Sequence, residues 1–183
     1  MEISISDWWY SPDPNVWAPA LEQRYWSLLR PENNALDREM EPLDLERLRN
    51  FNAREWYDFL RCKYFRWKYT APHRYASTTK KLGKYVDEDN LGELDKIRQR
   101  LLNPDHHDVR ARLNTAYEIH GLGPAGASGL LALMYPEIFG TVDQFVVKAL
   151  REVANLPEAA ALARIKPENL SIADGVLLIG IGA

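Results

Sequence analysis

The sequence predicts an all-α fold, a compact multi-helix domain of eight to ten short helices. Three observations carry this. From Asp44 onward, capping signals are followed by apolar residues at helical spacing. Val, Ile and Thr nowhere gather into alternating runs, so no strand pattern competes. The chain has 183 residues, 46% of them hydrophobic, which is enough for one ordinary core and argues against a disordered or coiled-coil chain. No period of 20–50 residues repeats, so a solenoid is not expected.

Residues 1–43 are aromatic and punctuated by proline, with Trp8, Trp9, Tyr10, Trp17 and Trp26 among Pro12, Pro14, Pro19, Pro31 and Pro42. Such a segment reads as an arm packing on a core, with one helix at 20–30. Residues 44–183 form the helical domain. Asn52-Ala-Arg-Glu55 is a capping box that opens a helix carrying Trp56, Phe59, Leu60 and Tyr64, and Pro72 is expected to stop it. A second helix covers roughly 73–86. Asn90-Leu-Gly-Glu93 is a box-like start for Leu94, Ile97 and Leu101, ended by Asn103-Pro104. Asp105 or Asp108 then caps a helix running to about Ile119 with Val109, Leu113, Ala116 and Tyr117 on it.

The residues 113–131, an apolar helix from Leu113 followed by Gly-Leu-Gly-Pro-Ala-Gly-Ala-Ser-Gly-Leu-Leu at 121–131, are the most informative stretch. Gly121 can take positive φ to close the preceding helix, Leu122 points inward as a plug, and Gly123 lets the backbone pass close to a neighbour. Pro124 suits a first helical turn, where its missing N–H is no loss. Small residues at Ala125, Ala127 and Ser128 allow tight packing of the second helix. A helix start of this kind presents free N–H groups and positive dipole to a phosphate, without reading base sequence. The donors would be Gly121, Gly123 and Ala125, with His120 beside them. A tight turn between two helices of a bundle uses the same glycines.

This pattern resembles the helix-hairpin-helix motif. Some 20 residues on, Thr141-Val-Asp143-Gln144 opens another helix, with Thr141 and Gln144 read as a capping box and Asp143 in its first turn. Hairpin, helix and apolar-Asp segment together resemble the helix-hairpin-helix DNA glycosylase superfamily, endonuclease III-like and 8-oxoguanine glycosylase-like, over residues 113–150. The resemblance implies a DNA-glycosylase-like fold. It implies Asp143 as a catalytic carboxylate that stabilises positive charge on the sugar of a flipped modified base while its N-glycosidic bond is hydrolysed. A carboxylate can act in this way on electrostatic grounds alone; it can equally sit in a first helical turn simply to complement the dipole. Bifunctional members carry a Schiff-base lysine just after the hairpin, where this chain has Ala125, and no Lys lies between Lys96 and Lys148. The implied activity is therefore monofunctional, with water as nucleophile and no cofactor, save a monovalent cation at the hairpin.

Net charge is −3, which taken alone argues against nucleic acid. The average conceals an asymmetry. Residues 61–84 hold eight Lys or Arg and no Asp or Glu, leaving 15 basic against 26 acidic residues elsewhere. Lys63, Arg66, Lys68, Arg74, Lys80, Lys81 and Lys84 form a basic patch in which Trp67, Tyr69 or Tyr75 can stack on an exposed base. Ser77, Thr78 and Thr79 add uncharged donors for phosphate oxygens. The partner this points to is duplex DNA, held by sequence-independent backbone contacts. A non-catalytic nucleic-acid-binding or protein-interaction module is the alternative, the aromatic arm and apolar end suiting an association surface.

Other features exclude classes of function. A single cysteine, Cys62, rules out an internal disulfide framework and multi-cysteine metal sites. Asp105-His106-His107-Asp108 lacks the i,i+4 spacing of metal pairs and reads as a helix start, so no metal site is expected. The N-terminus carries no signal-peptide pattern, and the longest apolar run, 176–183, is far below the ~20 residues of a membrane span. A cytoplasmic protein is expected, nucleoid-associated in a bacterial or archaeal cell. That apolar run ends without a polar flank, as in a truncated parent or a tail buried against the body.

Overall fold

The computed structural model describes residues 4–20, 31–40, 43–103 and 108–182. Its described residues form twelve helical segments when the unbroken stretch 53–68 is taken as one, and no strand occurs among them. The short arm helices raise the number above the eight to ten expected. The helix expected at 20–30 and residues 105–107 of the acidic-histidine cluster lie outside the described residues.

Ser4 and Asp7 form a capping box at the start of α1 (Ile5–Tyr10), which is followed by α2 (Pro14–Ala20) and α3 (Pro31–Met40). Asp44 caps α4 (Leu45–Arg49). The Asn52–Glu55 box opens α5 as expected (Ala53–Phe59), and the helix continues through a π segment (Leu60–Tyr64) into a last α turn (Phe65–Lys68). Its end differs from the sequence expectation. Tyr69 leaves the helical region at φ −114°, ψ 76°, and Pro72 is the first residue of α6 (Pro72–Asp87) rather than the stop of α5. A proline with no N–H to offer fits a helix start better than an end. Asn90 precedes α7 (Leu91–Leu101), but its side chain makes no capping bond, so the predicted box does not form. Asp108 caps α8 (Val109–Tyr117) through Arg110 N at 2.9 Å. The remaining helices are α9 (Pro124–Met134), α10 (Gln144–Arg151), α11 (Ala159–Leu162) and α12 (Ile172–Gly182).

The core runs along α5. Trp56, Leu60, Tyr64 and Phe65 are fully buried, together with Leu82, Leu94, Leu101, Leu113 and Leu130 from the helices around them. The apolar run near the end of the sequence is α12. It packs on α8 and α9 and buries Leu178 and Ile179. The arm touches the body at two places. Ser6 Oγ and Tyr10 Oη bond the backbone of Glu152 and Ala154 at the end of α10. Helix α3 lies on α5, where Asp37 accepts from Trp67 Nε1 and Glu39 pairs with Lys63 at 2.8 Å. No helix among the described residues is long and apolar enough to cross a membrane.

Candidate functional site

The turn between α8 and α9 has the backbone that Gly121 predicts. Gly121 has φ +98°, and Leu122 N donates to Ile119 O at 3.0 Å, so the preceding helix is closed by local bonds. A Cβ on Gly121 would stand 2.6 Å from Thr78 O and 3.0 Å from the Phe65 ring, so the hairpin is seated directly on α5 and α6. Leu122 is buried as the expected plug. That placement removes it from any nucleic-acid contact, since its side chain is in the core and its N–H is already bonded.

Gly123 behaves differently from expectation. It is the N-cap of α9, extended at φ −94°, ψ −177°, and a Cβ there would meet nothing within 4 Å. Its bareness leaves open space in front of the helix start instead of allowing a close approach. Ala127 N reaches Gly123 O at 2.8 Å, whereas Ala125 N and Gly126 N have no acceptor among the described residues. These are the ordinary orphan donors of a helix N-terminus.

Asp143 is the N-cap of α10 and not part of its first turn; Thr141 does not cap. Capping falls to the residue whose extended backbone lets its carboxylate turn back on the helix, here at φ −153°. Asp143 Oδ1 accepts from Phe145 N at 2.8 Å and Val146 N at 3.1 Å, while Oδ2 accepts nothing from the described residues. The residue before it is tied to α9. Fully buried Ser128 accepts from Val142 N at 3.0 Å through its Oγ, which fixes the approach of the chain to Asp143.

Hairpin and aspartate share one cavity of about 620 Å³, lined by Gly121, Gly123, Pro124 and Ala125, by Asp143, Gln144 and Phe145, by Lys68, Tyr69, Arg74 and Thr78, and by residues 167–170. The basic stretch thus reaches the hairpin through its middle. Tyr69 Oη donates to Gly121 O at 3.2 Å. Burial pushes the Tyr69 phenol up to about 12, with the Gly123 backbone and the Arg74 charge acting the other way. Tyr64 Oη donates to Gly126 O, and burial holds its phenol well above the usual range. Burial lowers the Lys68 amine, and the Asp143 carboxylate partly offsets this.

Other predicted site residues lie elsewhere. His120 stacks on Tyr85, ring centroids 4.3 Å apart, and does not line the cavity. Trp67 is half-buried against Tyr64 with its indole N–H on Asp37, so it is no free stacking platform. Lys63 is taken up by Glu39. Arg66, Lys80, Lys81 and Lys84 are exposed, outside the cavity, and make no ion pair with described residues. The hydroxyls of Ser77, Thr78 and Thr79 bond carbonyls of their own helix at Arg74, Tyr75 and Ala76, where an i−3 or i−4 acceptor lies within reach. They are not free for phosphate.

Sequence reasoning missed how α9 is kept bare on one side. A Cβ at Gly126 would lie 2.5 Å from Tyr69 Oη, and one at Gly129 would lie 3.0 Å from both Lys68 Nζ and Tyr64 Oη. The available signal was the pair of glycines inside a helix, each unfavourable by roughly 0.5–1 kcal/mol without a packing reason. Among the described residues no group of three or more His, Cys, Asp or Glu could hold a metal ion. In comparison with known proteins, no family model matches the chain, and no curated protein or solved structure matches it significantly.

Proposed function

We propose that this protein binds duplex DNA through the hairpin and the basic stretch, and hydrolyses the N-glycosidic bond of a modified nucleotide flipped into the cavity. One observation carries the reading. Asp143, whose Oδ2 accepts no bond from the described residues, Ala125 and Gly126, whose amides have no acceptor among them, and the cations Lys68 and Arg74 line the same cavity. A DNA phosphate rests on the α9 N-terminus, and Arg74 and the exposed lysines of α6 hold neighbouring phosphates. The base leaves the stack, since its bond to the sugar cannot be reached otherwise. Asp143 faces the sugar. Its carboxylate stabilises the positive charge that grows on C1′ as the bond breaks, and Oδ2 receives a proton from the attacking water. The capping bonds to Oδ1 keep the carboxylate in one orientation, so little reorganisation is needed as charge develops.

A second reading is favoured by the same capping bonds. They account for Asp143 as a structural residue, in which case the protein docks on DNA without chemistry. The two readings separate on Asp143→Asn, because asparagine is as good an N-cap as aspartate and leaves the fold intact. The test is base release from a panel of duplex oligonucleotides carrying modified bases, bulky ones included. Hydrolysis predicts release by the parent chain and a loss of at least about 100-fold in the variant. Docking alone predicts no release by either, with equal binding that weakens as salt rises.

A further inference from the structure

A second cavity lies between the end of α3, helix α4 and the first half of α5. Among the described residues it shares no lining residue with the cavity that holds Asp143. Its volume of about 420 Å³ suits a small organic molecule. The apolar part of the lining is Met40 and Leu48, both almost fully buried, with the half-buried rings of Phe51 and Phe59, centroids 6.0 Å apart. Carboxylates dominate the polar part. Glu39 and Lys63 neutralise each other at 2.8 Å, which leaves Asp44, Glu55 and Asp58 against Arg47. Each of these three carboxylates has one oxygen engaged. Backbone amides take Asp44 Oδ1 and Glu55 Oε2, and the Arg54 guanidinium takes Asp58 Oδ2. The second oxygen of each accepts no hydrogen bond from the described residues. Arg47 holds its own guanidinium over the Phe51 ring, 5.8 Å from the centroid, so this wall already receives a cation.

We propose that this cavity binds a small aromatic amine in its protonated form. The ring system of the ligand lies against Met40, Leu48, Phe51 and Phe59, where removal of apolar area from water supplies the attraction. The ammonium donates to the unengaged oxygens of Asp44, Glu55 and Asp58, and the phenylalanine faces add a cation–π contribution. Charge then sets the selectivity. An anion meets three carboxylates and is refused, whereas a neutral ring gains the apolar wall but leaves the carboxylates to water. The lining is opposite in sign to the basic stretch at the hairpin, so amines are directed here and phosphates there. The proposal stands independently of DNA binding, because the two cavities have no lining residue in common among the described residues.

Cys62 lines this cavity, is exposed and is the single cysteine of the chain, so its alkylation reports occupancy of this place. The experiment treats the full chain with iodoacetamide and follows the rate by intact mass in the presence of tryptamine, tryptophol or indole-3-propionate. The three share a ring system and differ in charge. Rates are referred to those of the urea-unfolded chain under the same additions, which corrects for reagent taken up by the amine. Tryptamine is expected to slow alkylation saturably in the millimolar range, tryptophol at least about fivefold more weakly, and indole-3-propionate not at all. In the triple variant Asp44→Asn, Glu55→Gln, Asp58→Asn, protection by tryptamine should weaken at least about fivefold while protection by tryptophol is unchanged. Asparagine caps as well as aspartate, and glutamine completes a capping box, so the variant retains its helix starts, which its melting temperature checks. The comparison of the three indoles on the parent chain needs no variant. No slowing by tryptamine, or equal slowing by tryptophol or indole-3-propionate, overturns the proposal, as does a folded variant protected like the parent. Protection by a synthetic leucine- and lysine-rich peptide but not by tryptamine assigns the cavity to a protein partner and overturns it equally.

Discussion

Two residues define the site, and they were legible to different degrees. Gly121 was expected to take positive φ, and it does, but its contact with Thr78 O comes from a segment 43 residues earlier that local pattern does not reach. Replacing it by alanine combines a strained φ with overlap against a backbone atom that cannot swing away. Gly121→Ala is expected to destabilise the fold by about 2–3 kcal/mol in urea unfolding; an unchanged midpoint would show that the hairpin is not seated as described. Asp143 was placed two positions too deep in its helix. Thr141 and Gln144 satisfy a capping-box pattern, yet Asp143 has the extended backbone and the reach, so the better acceptor takes the cap. That shift matters chemically, because it leaves one carboxylate oxygen bonded and the other without a hydrogen bond from the described residues, on a side chain that lines the cavity.

At the scale of elements, the junction between α5 and α9 organises the cavity. Tyr64, Lys68 and Tyr69 reach toward a helix whose glycines at 126 and 129 make space for them. The sequence shows those glycines and that basic-aromatic segment separately; nothing in either says that they meet. The π segment Leu60–Tyr64 adds to this, since an i→i+5 turn rotates every later side chain relative to the α-helical spacing from which its face would be read. Hence Lys68 read as one surface cation among eight. Ser128 is the complementary link, joining α9 to the chain just before Asp143. Ser128→Ala would strand a buried Val142 N–H, at a cost of about 1–3 kcal/mol. A melting temperature equal to that of the parent chain would contradict the bond. Helix existence was legible over most of 52–150, because capping and apolar spacing are local, whereas Ile172–Gly182 read only as an apolar run. The start at Asn90 was legible too, although its side chain makes no cap bond. Pro72 read as the end of one helix when it opens the next, because a proline signals a terminus without saying which helix it serves.

On the scale of the whole molecule, the charge asymmetry seen in the sequence persists in the fold. Six of the eight cations of 61–84 are exposed without an ion pair among the described residues, while Arg49, Arg54, Lys96, Arg98 and Arg100 each have an acidic partner. On the proposed reading, DNA binding is confined to one basic segment and should fall steeply with salt. Titration gives an independent check on the core. Tyr64, Tyr69 and Tyr85 all hold their protons more tightly when folded, chiefly through burial. The unfolded chain releases those protons near pH 10, so this contribution is complete below that value and is lost as pH rises toward 12. Lys68, with its affinity lowered, works the other way, adding stability as pH climbs to about 10. Urea stability should therefore hold up to about pH 10 and drop by about 2–3 kcal/mol on Tyr69 alone by pH 12; a flat profile over that range would contradict the buried phenols. Free base released from the modified-oligonucleotide panel decides whether Asp143 hydrolyses a glycosidic bond, with the parent chain and Asp143→Asn compared at equal melting temperature and equal DNA binding. Hydrolysis at Asp143 gives release of at least one modified base by the parent and at least about 100-fold less by the variant. No release by the parent, or release by the variant at the parent's rate, would contradict it.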